Sequence, residues 1–505
     1  METGKQQSLL SGNTSLKQSP SSLQVDVEIN GVGDFCREFY KEFKRQWYLA
    51  GPAMFTSLCQ YAIIATTQLF AGQLGTIQLA AVSVEYSVIG AFSYAILDGM
   101  GSALETLCGQ AYGAGQIDML GIYLQKSWIL LNATAVVLML TFIFGVSVLR
   151  LLGQTTLIAT SAGSFAVWMI PQLFAFATVT PITKFLQAQG RIMPMAVIAA
   201  VAVISHVVLS WVMVMKLGWG LVGAAVVLDG SWWFITLSQL TYVLRGSCGV
   251  AWSGFSWKAF NNLTDFVHVS FATAVMFCSE TCYLLSLVLF AGYFDNPEIS
   301  VDALSICLNI LGWVCTVYLG LNVSVSVRVS NELGYGRPKT ARLAVIVVAA
   351  TSLLIGLLFT TVLLVYRKQY PIYFTSSREV IQLVEELTLL LGVSTIVNSI
   401  QFALSGVAIG AGWQSMVAYM NIVSYFIVGI PLALLLGFKF NMGVKGLWCG
   451  IISGTSMQCC LLVTMISRTN WNNEASIAED RIKQWGGDIQ GEEDGHEKTS
   501  YKDVC

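Results

Sequence analysis

Twelve stretches of this 505-residue chain are apolar over the length of a bilayer-crossing helix, and no other feature restricts the fold as much. They run at about 46–72, 76–110, 127–149, 158–184, 195–215, 221–244, 266–291, 302–332, 341–366, 382–408, 413–437 and 443–466. Inside hydrocarbon each backbone N–H and C=O must find a partner within the protein, so such stretches are expected to be helices. Composition agrees: 11% of residues are charged, 55% are hydrophobic and mean hydropathy is +0.67. The reading is an all-α membrane protein whose first partner is the lipid bilayer. The net charge of -2 says nothing of other partners, and nothing points to nucleic acid. Pro52, Pro171, Pro181 and Pro431 fall inside spans and each predicts a bend.

Residues 1–45 read as a polar cytosolic tail ending in a short amphipathic approach, CREFYKEFKRQW. No secretory signal precedes the first span, which is then its own targeting signal. Most of the 27 Lys and Arg lie on the side of the N-terminus, which predicts both termini in the cytosol. Residues 468–505 read as a second cytosolic tail, polar and acidic. Sequons begin at Asn13, Asn132, Asn262 and Asn322, all in cytosolic or membrane segments, so none is expected to be glycosylated. Most of the 12 cysteines sit in apolar spans as small packing groups.

The halves of the chain repeat each other. LFAG at 69–72 returns at 289–292, GAG at 113–115 returns as GYG at 334–336, and Lys216, Gly220 and Gly223 return as Lys439, Gly443 and Gly446. A near-constant offset of this kind predicts a duplicated six-helix unit: an N-lobe at 46–245, a cytosolic linker at 246–265 and a C-lobe at 266–467. Six is even, so the copies share an orientation, as in transporters whose halves rock about a central cavity.

The seventh stretch carries one acid, Glu280, near its middle. A carboxylate at that depth costs about 2.5–3.5 kcal/mol on insertion scales, so it is expected to face protein or a watery cavity and to bind a proton. Met276, Phe277, Leu284 and Leu285 flank it and disfavour its charged form. No Walker A run or HExxH is present, and His206, His268 and His496 are too dispersed for a metal site or a triad. The chain is therefore not read as an enzyme, and no cofactor or metal is expected.

Five segments carry a family resemblance: SALETLCGQAYGAG (102–115), KFLQAQGRIMP (184–194), SICLNILGW (305–313), SVRVSNELGYGRP (326–338) and SGVAIGAGWQ (405–414). With these in order over residues 40–467, the chain resembles plant-type members of the multidrug and toxic compound extrusion (MATE) family. The resemblance implies two six-helix lobes in a V shape, monomeric, that alternate access. It also implies proton-coupled antiport of organic solutes such as flavonoids, alkaloids and xenobiotics, with a passive anion channel or uniporter as the alternative on the same fold. Glu280 matches the family's proton-binding glutamate. On the tenth span, where relatives often place an acid, this chain has Asn398, which removes the like-charge repulsion a second acid would bring.

Gln401 and Asn309 are expected to complete a polar cluster with Asn398, and Tyr283, Tyr419, Asn421 and Tyr425 to line the substrate cavity. In the N-lobe, Glu85, Asp98, His206 and Asp229 are further ionisable candidates, with His206 read mainly as a bonded core histidine. Asp229 stands where similar sequences suggest asparagine, and Asp98 where they suggest an apolar residue. Glu105 and Gln110, with Arg328, Asn331 and Glu332 in the second half, are expected to form a gate bracing the lobes. An acidic lumen and cytosolic termini together favour the vacuolar membrane, with the plasma membrane as alternative and Ser8-Leu9-Leu10 as a sorting hint.

Overall fold

The computed structural model describes residues 26–261, 263–294 and 296–486. The sequons at Asn13 and Asn262, the Leu9-Leu10 pair and the acidic run from Glu492 to Glu497 lie outside these residues. The membrane helices are α1 Val32–Leu74, α2 Thr76–Gly113, α3 Met119–Ile143, α4a Thr156–Trp168 with α4b Ile170–Ala188, α5 Met193–Lys216 and α6 Gly220–Ser247. The second set is α7 Leu263–Ala291, α8 Pro297–Gly334, α9 Pro338–Val365, α10 Arg378–Ala411, α11 Gln414–Lys439 and α12 Gly443–Arg468. A last helix, α13, runs Trp471–Gly486. Among the described residues eleven helices are long and apolar enough to cross a membrane, and the bent α4a–α4b pair makes twelve.

That pair bends by 51° at Met169. Pro171, in the first turn of α4b, has no N–H to donate and crowds the preceding turn, so the helix restarts there. Pro52 and Pro181 instead sit inside unbroken helices, and Pro431 follows a π-helical stretch, Ile422–Gly429, within α11.

Two sequence expectations about the ends need correction. The approach 32–45 is continuous with α1, because no helix breaker separates Val32 from the span. Asp26 ahead of it caps α9: its carboxylate accepts from the backbone N–H of Lys339 and Thr340, both at 3.0 Å. The tail after 468 likewise contains α13, whose Trp471 packs tilted against Trp413 at 5.8 Å between ring centroids and whose Glu474 accepts from the Trp413 indole at 3.0 Å.

The repeat is structural. α2 and α8 are both 38 residues long and start 221 residues apart. α5 ends in a π turn, Trp211–Lys216, and α11 in another, Leu435–Lys439. Each is followed by a glycine at positive φ, Gly220 at 57° and Gly443 at 58°, a conformation that costs other residues. The next glycines, Gly223 and Gly446, face the preceding helix so closely that a Cβ would meet the main chain of Met213 and Leu436 respectively. The matching Lys-Gly-Gly triplets thus encode one hairpin, used twice.

Each lobe has its own core, around Ile63, Phe142 and Leu173 in the first and Leu287, Leu304 and Trp448 in the second. The lobes meet where α1 packs on α8 and α2 on α7 and α8. Near mid-membrane a Cβ on Gly99 would strike Ala274, and Tyr61 meets Trp313 edge-on at 4.6 Å. At the end that carries the termini, α2 and α8 touch backbone to backbone: a Cβ on Gly113 would overlap the Asn331 carbonyl, and one on Gly334 the Gln110 carbonyl. Among the described residues the hydrogen bonds between lobes also cluster at this end, so the V opens at the other.

Candidate functional site

α7 carries Glu280 half-buried at the middle of its span. Its Oε1 accepts a long hydrogen bond, 3.5 Å, from Nε2 of Gln401 on α10. The same amide donates to Ser405 Oγ at 3.3 Å, and Gln401 Oε1 is buried without a partner. Tyr425, Cys315 and Cys459 lie within electrostatic reach of the carboxylate. Of the residues expected to form a polar cluster, Gln401 is the one that lies against Glu280.

The rest of the expected cluster is dispersed. Asn398, one turn before Gln401, lines a narrow cavity with Leu284, Leu311 and Trp448, a turn along α7 from Glu280. Asn309 is exposed, on the same face of α8 as Trp313, and so turns to the space between the lobes rather than to Glu280.

Three of the four expected cavity-wall residues face the C-lobe interior instead. Tyr283 and Tyr425 are each 1% exposed and stack at 4.3 Å, and the Tyr283 hydroxyl donates to the Ile451 carbonyl at 3.0 Å. Tyr425 donates to Gln458 Oε1 at 2.5 Å, Gln458 donates to Asn421 Oδ1 at 2.6 Å, and Asn421 donates to the Met276 carbonyl at 3.0 Å. Buried polar groups gain from such saturation, so these side chains are committed to one another and to the turn of α7 before Glu280. Gln458 was not singled out from the sequence; its burial among apolar neighbours on α12 was the available signal. Tyr419, on α11, is 72% exposed.

In the N-lobe, His206 is fully buried, with Nε2 at 3.0 Å from Thr67 Oγ1 and Nδ1 at 2.8 Å from Ser231 Oγ. Both nitrogens are spent on hydroxyls, which is the bonded core histidine and not a relay to an acid. Glu85 opens a π-helical stretch of α2 and is 3% exposed. Asp229 on α6 lies within its electrostatic reach and faces the backbone N–H of Gln172, in the first turn after the α4 break. Glu85 Oε1 and Asp229 Oδ1 are both buried with no hydrogen-bond partner. Asp98 is apart from this pair, facing Lys184 and Glu105.

The residues expected to form a gate pair with other partners than each other, apart from Arg328 and Glu332. Glu105 bonds Lys184 of α4b at 2.8 Å, inside its own lobe. Across the lobes, Arg328 of α8 holds Glu42 of α1 through Nε and Nη2, both at 2.8 Å, and also reaches Glu332 at 2.7 Å. Asn331 donates to the Ala188 carbonyl at 3.2 Å. Gln110 donates to the Gly410 carbonyl at 3.4 Å and accepts from Arg481 of α13 at 2.9 Å. Thr106 donates to the Ile409 carbonyl, and Gln414 donates to Thr106 Oγ1 at 2.7 Å. Glu42 and Arg481 lay in segments read as tails, so nothing in the local pattern paired them with spans.

Comparison with known proteins fits this geometry. The MatE family model matches twice, at residues 52–212 and 272–435, and the two matches start 220 residues apart, the offset of the internal repeat. Protein DETOXIFICATION 29 of Arabidopsis thaliana is 56% identical over 461 residues, 91% of this chain and 92% of its own length. Protein DETOXIFICATION 30 of the same plant is 55% identical over 469 residues, 93% and 94% respectively. The crystal structure of the eukaryotic MATE transporter AtDTX14 superposes with a TM-score of 0.85 at 33% identity, covering 88% of this chain and all of that one. The chain belongs to the multidrug and toxic compound extrusion family, whose members are membrane transporters and not enzymes.

Proposed function

We propose that this transporter is a proton-coupled antiporter that moves organic solutes out of the cytosol by alternating access, with Glu280 as the proton-binding group. The observation that carries the reading is the pairing of Glu280 with Gln401 across α7 and α10. An amide brings no countercharge, so a bound proton is the simplest way to neutralise this carboxylate at mid-membrane depth. Among the described residues no group of three or more His, Cys, Asp or Glu is placed to hold a metal ion. The interlocked end carries Asp26 and α13, and on the charge pattern it is read as the cytosolic face, which makes the opposite side the open one. Loading of an acidic compartment such as the vacuole follows from the direction of such an exchange, and the aromatic content of the chain suits flat organic cargo.

The test is uptake of organic solutes into sealed vesicles under an imposed pH gradient. Wild-type protein is expected to show saturable, gradient-dependent uptake, and Glu280→Gln to insert normally and lose it. Uptake by Glu280→Gln equal to wild type at every pH rejects the assignment. Large currents that follow the chloride gradient without any pH gradient would establish the channel instead.

A further inference from the structure

A cleft of about 600 Å³ opens at the terminus-bearing end, where α1 of the first lobe meets α8 of the second. Its α1 wall presents Lys41, Lys44, Arg45 and Tyr48 on one helical face, and its α8 wall presents Arg328 and Tyr335. Among the described residues no carboxylate lines it. Lys41 is held by Glu38 at 2.8 Å, but Arg45 comes no closer than 3.9 Å to Glu42, and Lys44 makes no ion pair among the described residues. The Arg328 bonds to Glu42 and Glu332 use its Nε and Nη2. Lys44, Arg45 and the hydroxyls of Tyr48 and Tyr335 are therefore the donors turned to whatever enters.

The surroundings say what that is. On the neighbouring faces of the same stretch of α1, Phe43 and Trp47 pair at 5.9 Å, and Tyr40 and Tyr48 are 67% and 62% exposed. Aromatic side chains interleaved with Lys and Arg at the end of a membrane helix mark the depth of lipid headgroups. Basic pockets between helices at that depth suit phosphorylated headgroups, which offer several strong acceptor oxygens to cations and hydroxyls together.

We propose that this cleft binds the phosphorylated headgroup of an acidic phospholipid, and that the bound headgroup clamps α1 to α8 across the lobe boundary. A ligand that contacts both walls favours the state in which they are together, so the lipid holds the terminus-bearing end closed. The proposal is independent of the proton-coupling reading, because its readout is lipid retention and not transport.

The experiment is native mass spectrometry of the full-length protein with phosphatidylinositol phosphate or phosphatidylcholine. Wild type is expected to retain phosphatidylinositol phosphate in preference, and Lys44→Gln/Arg45→Gln to lower that retention roughly tenfold or more, as two surface cations near lipid should. Arg245→Gln/Lys258→Gln, exposed cations at the same end outside the cleft, should leave retention unchanged. Unaltered retention by the first double variant, or equal loss in both, overturns the proposal. Binding of soluble inositol hexakisphosphate as strong as that of the lipid overturns the lipid assignment in favour of a free phosphate ester. Should the cleft double variant melt early in phosphatidylcholine, Lys44→Gln alone carries the same comparison.

Discussion

Arg328 and Glu42 are joined by two parallel hydrogen bonds of 2.8 Å, with side chains 13% and 2% exposed, and they belong to different lobes. A bidentate pair this sheltered from water is strong because both of its hydrogen bonds are charge-assisted and poorly screened. It is also breakable by geometry, since rocking the lobes apart at this end separates α1 from α8. Arg328 keeps Glu332 at 2.7 Å when Glu42 is neutralised, so Glu42→Gln is expected to lower stability of the closed state by about 1.5–3 kcal/mol, the range for a hydrogen bond to a charged group. Thermal unfolding of the purified full-length protein checks this, and a melting temperature equal to wild type would remove the pair from the gate.

The glycine contacts set a second test. Gly113→Ala places a methyl group on the Asn331 carbonyl, where backbone cannot yield cheaply, and overpacking of this kind costs about 1–3 kcal/mol. Gly51→Ala, with nothing within 4 Å, should be neutral or slightly stabilising. Equal melting of the two variants would show that α2 and α8 are not in backbone contact.

α13 offers a third. Arg481→Gln shortens the donor that reaches Gln110 Oε1 and the Ala411 carbonyl, so the closed end should lose about 1–2 kcal/mol while the lobes themselves stay folded. Cross-linking efficiency of a cysteine pair placed across α2 and α10 at this end should fall. Unchanged cross-linking would mean that the helix rests on the lobes without bracing them.

His206 separates structure from mechanism. With one ring nitrogen donating to a hydroxyl and the other accepting from one, Thr67 and Ser231 being the two partners, His206→Gln should cost about 1–2 kcal/mol of stability. Vesicle uptake should stay within about twofold of wild type with the same pH profile, since a group without an acid or base partner relays no proton. A displaced pH profile in this variant would restore the relay.

How much of this was legible beforehand follows a physical line. The spans, the duplication and Glu280 were readable because hydrocarbon imposes its demands one residue at a time: length, apolarity and the rarity of a mid-span acid are local properties. The Lys216-Gly220-Gly223 triplet and its copy were readable for the same reason, since a positive φ is required by the backbone wherever the hairpin recurs. Pro171 was legible as a bend, but not as the one proline of four that breaks its helix, because the outcome depends on which neighbours satisfy the freed carbonyls. Pairings were out of reach. Glu105 went to Lys184, and Arg328 to Glu42 as well as Glu332, partners that the gate expectation did not name. Tyr283, Asn421 and Tyr425 went to the lobe interior, because Gln458 and the α7 and α12 carbonyls were there to satisfy them. Charge and polarity are written in the sequence, but the partner of a side chain is set by helix rotation and crossing. Those were fixed only when glycines such as Gly113 and Gly334 brought two distant helices into backbone contact.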